Sequence, residues 1–241
     1  MIDARTTPWT DVRDHIAAGN TLAILPFGAL EAHGPHLPLG TDTIVAVGSA
    51  ERLATRFDAL LLPPIEYGDT WATSGYPGTV SLSPETVTSL AVDIGVAVAG
   101  FGIGHFVILN GDFGNRVPLD AAARKLEELG IRTLVLNYPG MDEKIAEIRE
   151  SVPAGPGINH AEEVETSMVL AVAPATVHPE RYVAEYPEFP DDFGLVPLKL
   201  HEISELAVFG DPSTATAEKG EALFEAVLAA SVPIVERFIG A

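Results

Sequence analysis

Cysteine is absent from all 241 residues, so no disulfide staples this chain and no thiolate can ligate a metal. The same absence leaves the redox compartment unmarked. Basic residues are scarce: 14 Lys and Arg stand against 34 Asp and Glu, a formal charge of -20. Such an excess of acid repels nucleic acid and anionic membrane and favours solubility, which excludes polyanionic partners. No apolar stretch has the uninterrupted length and flanks of a membrane span. The opening MIDARTTPWTD lacks the charged and apolar regions of a signal peptide, and the expectation is a cytoplasmic protein. No Ser- or Gly-rich linker, internal repeat or low-complexity tract interrupts the chain. Its length suits one domain over residues 1–241 with a substantial core.

What is present alternates between strand and helix. Thr10 to Ala18 reads as a short helix capped by Thr10 and ended by Gly19, leading into a strand from Thr21 to Pro26. Ile44 to Phe57 has apolar residues at helical spacing, and Ala59 to Ile65 is a buried strand candidate. A helix follows from Pro84 to about Ala99, with Ser83 as N-cap and Pro84 in the first position. Then come a strand His105 to Leu109, a helix Val117 to Leu129 ended by Gly130, and a strand Arg132 to Leu136. Ala161 to Val172 and Ala215 to Phe238 are helical, the second with a kink expected at Pro233. Pro174 to Ser213 carries no clear periodicity. Strands separated by helices predict an α/β fold with a mainly parallel sheet covered on both faces.

The chain is organised around Ile24 to Val47, where an apolar run stops at a cluster of acid, imidazole, Gly and Pro. A strand feeding such a loop delivers its polar side chains to the carboxyl edge of a sheet, where open α/β folds keep their chemistry. Glu31 and His33 are two apart, a spacing that in extended chain points both to the same side. Asp42 can return a third donor to the same point. Carboxylate plus imidazole is a donor set for a first-row metal. A structural reading of the same residues stands beside this one: Asp42 with Thr41 and Thr43 is a good helix N-cap group, and His33 and His36 can be hydrogen-bonded loop residues.

The run Glu31-Ala-His33-Gly-Pro-His36-Leu-Pro-Leu-Gly-Thr-Asp42-Thr resembles the signature of the creatininase family of metal-dependent amidohydrolases. The resemblance implies that Glu31, His33 and Asp42 bind metal. A second segment, Asn110-Gly-Asp112-Phe-Gly-Asn115, stands where relatives carry Asn-Gly-His with the His as ligand. Here Asp112 replaces that His, and Gly114 replaces a Glu that some members add. Glu31, Asp42 and Asp112 would then hold one ion, with Asp42 bridging to a second bound by His33. Such a site is oxygen-rich, which shifts preference from zinc toward manganese, iron or magnesium. One or two divalent ions, manganese, iron or zinc, are expected.

A third segment, His160-Ala-Glu162-Glu163-Val-Glu165-Thr166-Ser167, resembles the family's His-Ala-Gly-Glu-x-Glu-Thr-Ser. His160 and Glu165 inherit roles in proton transfer, and Glu163 is a further ligand candidate. Glu162, where the family has Gly, reads as an acid favoured at a helix N-terminus. The loop Tyr67 to Thr79 matches the family's substrate-side loop at Gly68 and at Gly75 to Thr79, with Ala72-Thr73 where many members have Glu-His. Trp71, Thr73, Tyr76 and Asn115 are the substrate-contact candidates, with Trp71 and Tyr76 as an aromatic wall or as cover for a core edge. His15, His105, His178 and His201 have no counterpart and are read as structural.

The resemblance thus implies a three-layer α/β/α sandwich, a homo-oligomer, and hydrolysis of a non-peptide C–N bond in a small cyclic or linear amide by a metal-activated water. Glu165 or His160 would move protons to the leaving nitrogen. Two alternatives stay open: a lactone hydrolase using the same site, and a binding or scaffold protein that kept the fold and lost catalysis. Creatinine itself is not favoured, because the third donor and the substrate loop both depart from the family pattern.

Overall fold

In the computed structural model, which describes residues 1–155 and 157–240, the centre is a run of six consecutive buried residues. This is strand β2 (Leu22–Phe27), preceded by β1 (Ile2–Asp3) and helix α1 (Trp9–Ala17). Helix α2 (Thr41–Phe57), β3 (Leu60–Leu61), α3 (Pro84–Gly100), β4 (His105–Asn110), α4 (Arg116–Glu128) and β5 (Arg132–Leu136) follow. Helices α5 (Met141–Ile148), α6 (Glu163–Val172) and α7 (Ala217–Gly240) complete the order. The five strands form one sheet, ordered β1-β3-β2-β4-β5, with every pairing parallel.

Alternation along the strands separates the two faces. Ala23, Leu25 and Phe27 of β2 join Phe106 and Ile108 of β4 beneath α1, α3 and α4. Leu22 and Ile24 join Val107 and Leu109 on the other side, beneath α2 and α7. Side chains that alternate at a period of two, with both sets apolar, require a helical layer on each side. The result is a three-layer α/β/α sandwich, as the strand–helix rhythm predicts. A third apolar cluster ties α5 and α6 to α2 and α7 through Ile145, Val164, Met168 and Phe224.

Local chemistry explains where the elements depart from the sequence reading. Ser83 caps α3 by accepting from Thr86 N, with Pro84 in the first position. Thr10, by contrast, lies inside α1 and donates to Asp11, and Pro8 holds the N-cap position. The strand predicted over Ala59 to Ile65 shrinks to two residues because Pro63 and Pro64 have no N–H for the ladder. Ile65 returns only as a single bridge to Phe27. Helix α2 starts three residues early, so Asp42 lies in its first turn. Helix α7 runs through Pro233. The two-residue β1 and the eight-residue α5 are too short to leave a periodic signature. Between residues 174 and 213 there are short 3₁₀ turns and isolated bridges. No helix among the described residues is long and apolar enough to cross a membrane.

Helices α6 and α7 touch at Gly220, where an added Cβ would lie 1.9 Å from the Ser167 carbonyl oxygen and 2.9 Å from Ala171 Cβ. A backbone oxygen cannot move aside as a flexible side chain can. Gly220→Ala is therefore expected to lose about 2 kcal/mol through overpacking, outweighing a helix-propensity gain of about 1 kcal/mol. Urea midpoints of the two proteins measure it.

Candidate metal centre

All strands being parallel, the carboxyl ends of β2, β4 and β5 open to one edge, and the polar residues of the following loops gather there. The loop after β2 supplies Glu31 and His33, fixed by the bonds Glu31 N to Leu39 O (2.9 Å) and Val80 N to Leu30 O (2.9 Å). Asp42 comes from the first turn of α2, Asp112 from the loop after β4, and Glu165 from the first turn of α6. Gly111 lets the β4 loop meet α2: a Cβ there would lie 2.4 Å from Asp42 O. Neither Gly111 nor Gly114 has positive φ. Their value is space for a close approach.

Three triads of donor atoms result among the described residues: Glu31, His33 and His160 form the first, and two more share a carboxylate. Glu31, Asp42 and Asp112 form one of these two, and His33, Asp42 and Glu165 the other, each with its ligand atoms within 4.8 Å of one another. Asp42 belongs to both. His33 Nε2 lies 3.4 Å from both Asp42 Oδ1 and Glu165 Oε2, while its Nδ1 donates to Glu31 O at 3.2 Å. That bond turns Nε2 toward the carboxylates, the arrangement typical of a metal-ligating imidazole. His160 stacks on His33 with ring centroids 4.3 Å apart. Its Nε2 donates to Ala32 O at 2.8 Å, leaving Nδ1 facing Glu31 Oε1 at 3.8 Å. His36 is spent on Thr166 Oγ1 at 3.1 Å.

Burial dominates the electrostatics. It pushes Glu31 up to about 8, with Asp42 adding to the shift. Asp42 is pushed up to about 7 by burial, against the pull of His33, and Asp112 is held well above the usual range by burial and Glu31. Burial alone would lower His33, but Asp42 and Glu165 hold it well above its ordinary value. His160 falls to about 4 through burial and the neighbouring His33. Without a cation, the cluster therefore keeps protons. His33 Nε2 and Asp42 Oδ2 are buried and have no hydrogen-bond partner among the described residues. Unsatisfied atoms directed into a group of carboxylates and imidazole fit a divalent cation, since leaving a buried polar atom unpaired costs about 1–3 kcal/mol.

The other sequence candidates divide. Glu163 is corrected: it faces away from the triads, accepting from Ser151 N (2.6 Å) and Lys219 Nζ (2.6 Å). These bonds bring it down to about 2 against the opposing effect of burial. Glu163 and Glu165, two apart on a helix, cannot share a face, and Glu165 is the one turned inward. Glu162 is the N-cap of α6, accepting from Val164 N and pairing with Arg149. Asn115 is fully buried and uses both ends of its amide, donating to Gly28 O and accepting from Asp69 N, so it ties loops together rather than facing a substrate. Tyr76 donates to Ser204 O and packs on His201, outside the cavity wall. Trp71 and Thr73 do line the cavity, and Thr73 Oγ1 donates to Glu31 Oε2.

That cavity, of about 680 Å³, runs from the triads past Trp71 to an apolar stretch at Phe193, Val196 and Leu198. Sequence reasoning missed Tyr138, which also lines it. The available signal was an aromatic residue in Asn137-Tyr138-Pro139-Gly140, directly after a strand that ends at the functional edge.

Comparison with known proteins gives the family. The family described as creatininase, creatinine amidohydrolase, matches residues 5–235. The creatinine amidohydrolase of Pseudomonas putida is 31% identical over 232 residues, spanning 90% of this chain and 89% of that protein. The mycofactocin precursor peptide peptidase of Mycolicibacterium smegmatis is 32% identical over 216 residues, spanning 84% and 79%. Of solved structures, a manganese form of creatininase matches with TM-score 0.84 at 28% identity over 98% of each chain. A creatininase variant of zinc–zinc type matches with TM-score 0.85 at 28% identity over 98% of each chain.

The raised carboxylates set a sign for stability against pH. Glu31 and Asp42 titrate near 8 and 7 when folded, against ordinary values of 4.5 and 3.8. Above about pH 6.5 the unfolded chain holds no proton on either, while the folded chain is still giving them up, so stability falls as pH rises. His33, raised above 6.5, acts with the same sign. The chelator-treated protein should lose about 5 °C of melting temperature between about pH 6.5 and about 8.5, a loss that added Mn²⁺ removes. In a second prediction, Glu163→Gln should lose about 2 kcal/mol of stability by stripping a charged partner from Lys219. Its calorimetric Mn²⁺ affinity should equal that of the unaltered protein.

Proposed function

Because the chain belongs to the creatininase family, we propose that it is a metal-dependent hydrolase of a C–N bond in a small amide, cyclic or linear, other than a peptide bond. The observation that carries this reading is the pair of triads sharing Asp42 at the floor of the cavity. Glu31, Asp42 and Asp112 would hold one divalent ion, and His33, Asp42 and Glu165 a second. Bound there, such ions supply Lewis-acid polarisation of a carbonyl and make a water more acidic. The three-carboxylate half suits a hard ion such as manganese, and the half with His33 also suits zinc.

The chain's own residues divide the remaining work. Glu165, turned into the triad with His33 and Asp42, is assigned to holding metal, which leaves His160 as the proton carrier. With Nε2 committed to Ala32 O and its pKa brought down to about 4 by burial, His160 is neutral at working pH and presents a lone pair at Nδ1. It accepts a proton from the attacking water and passes it to the amide nitrogen as the C–N bond breaks. Thr73 holds Glu31 by its hydroxyl, and Trp71 offers a flat apolar wall.

A second reading is cleavage of a peptide bond. It is supported by the cavity volume, which exceeds the need of a small ring, and by the peptidase relatives. Lactones would use the same residues.

The test is hydrolysis by chelator-stripped protein reloaded with Mn²⁺ or Zn²⁺, assayed on lactams, N-formyl and linear amides, lactones and short peptides. Metal-dependent turnover of a non-peptide amide is the expected result, and the substrate class turned over decides among the readings. His160→Gln should keep metal affinity and lose about 10²–10⁴-fold in kcat. Failure of the unaltered protein to take up either ion would leave a non-catalytic binding protein.

A further inference from the structure

Most basic side chains of this acidic chain rest on a carboxylate, as Arg52 does on Glu221, Arg149 on Glu162 and Lys219 on Glu163. Two beside the cavity do not. Arg116 lines the cavity wall, and its guanidinium carbon lies 4.6 Å from the centre of the Phe113 ring. Lys199 stands between the lining residues Leu198 and Leu200, with Nζ 5.7 Å from the centre of the Trp71 ring. Phe113 and Trp71 line the same cavity. Neither cation pairs with an acid among the described residues.

An aromatic face holds a cation in place without cancelling its charge, so both groups keep their capacity toward an anion. Local structure gives Arg116 no other task. It stands in the first turn of α4, where the helix field favours acids and disfavours a cation, and its exposed side chain packs into no core. Two acids close by in the chain are committed to backbone donors: Asp69, in the same wall, accepts from Trp71 N at 3.4 Å, and Glu202 accepts from Lys199 N at 3.2 Å. Set against Asp69, the two cations leave a net charge that matches a monoanion better than a dianion. A tight turn, closed by Asn115 N on Asp112 Oδ2 at 3.2 Å and Arg116 N on Phe113 O at 3.2 Å, ties the cation of the wall to a donor of the metal centre.

We propose that Arg116, assisted by Lys199, forms an anion subsite that sets specificity, so that the amide cleaved at the metal centre is one that carries a free carboxylate. A guanidinium fork suits that group, which it holds by two parallel N–H···O bonds. The proposal rests on the metal-dependent reading above, because only with cations on the cavity floor are its four carboxylates kept from repelling an anionic ligand.

The probes are N-benzoylglycine, whose ring suits the apolar stretch at Phe193, Val196 and Leu198, and its neutral carboxamide. Each is titrated calorimetrically into the Mn²⁺-loaded full chain and its Arg116→Gln and Lys199→Gln variants. The unaltered protein is expected to bind the carboxylate about 10-fold more tightly than the carboxamide. Arg116→Gln should weaken the carboxylate about 10-fold and Lys199→Gln about threefold, with the carboxamide shifted by less than about twofold. Both variants should keep the Mn²⁺ affinity and melting temperature of the unaltered protein. Arg116→Lys, which keeps the charge and loses the fork, should recover part of the loss. Equal affinity for the two probes, or no measurable binding of the carboxylate, overturns the proposal. A carboxylate preference that both Gln variants retain also overturns it, since the carboxylate then sits on the metal ions, and so does tighter binding of the matching phosphonate. Failure of the unaltered protein to take up Mn²⁺ is seen before either probe is added, and brings down the metal-dependent reading and this proposal with it.

Discussion

Carboxylates of like charge, gathered within a few ångströms and shielded from water, repel one another, and the functional edge of this protein is arranged around that repulsion. Two unit charges about 4 Å apart oppose each other by about 4 kcal/mol at the effective dielectric of a partly buried site. Four such groups cannot all ionise without compensation. Protons on Glu31, Asp42 and Asp112 and the charged His33 supply it in the metal-free protein. Divalent cations would supply it otherwise, so metal uptake and proton release are two sides of one exchange.

The fold makes the gathering possible by fixing where each carboxylate starts. The parallel pairing of β2 with β4, from Leu22 against His105 to Phe27 against Asn110, sets the loops of Glu31 and Asp112 side by side. The close approach of Gly111 to α2 brings Asp42 between them. The third apolar cluster seats α6 against α2 and carries Glu165 in. These are long-range contacts whose free energy comes from the apolar clusters on and around the sheet. The polar edge draws on that stability.

The legible parts were those where sequence neighbours are also spatial neighbours. Glu31 and His33 share a side because they share a loop, and Ser83 with Pro84 marks a helix start by its own local bonds. The strand–helix alternation gave the layers for the same reason. The choice between Glu163 and Glu165 was not legible, because it turns on the phase of α6 and on Lys219, which lies 56 residues from Glu163 along the chain. Asn115 likewise looks like a substrate contact until Gly28 and the loop at Asp69 close on it. Tyr138 was hidden by a turn whose hydrogen bond comes from another strand.

The two hydrogen bonds of the Asn115 amide carry a consequence for how this site discriminates among ligands. By gripping Gly28 O and Asp69 N at once, it locks the loop bearing Trp71 to the end of the central strand. One jaw of the cavity is thereby rigid. An entering molecule must match its contour without help from that side, and accommodation of bulk falls to the adjoining wall from Phe193 to Leu198, which holds no helix or strand and is followed by Lys199 over the Trp71 ring. New selectivity can arise there by side-chain changes that leave the cation-holding groups undisturbed.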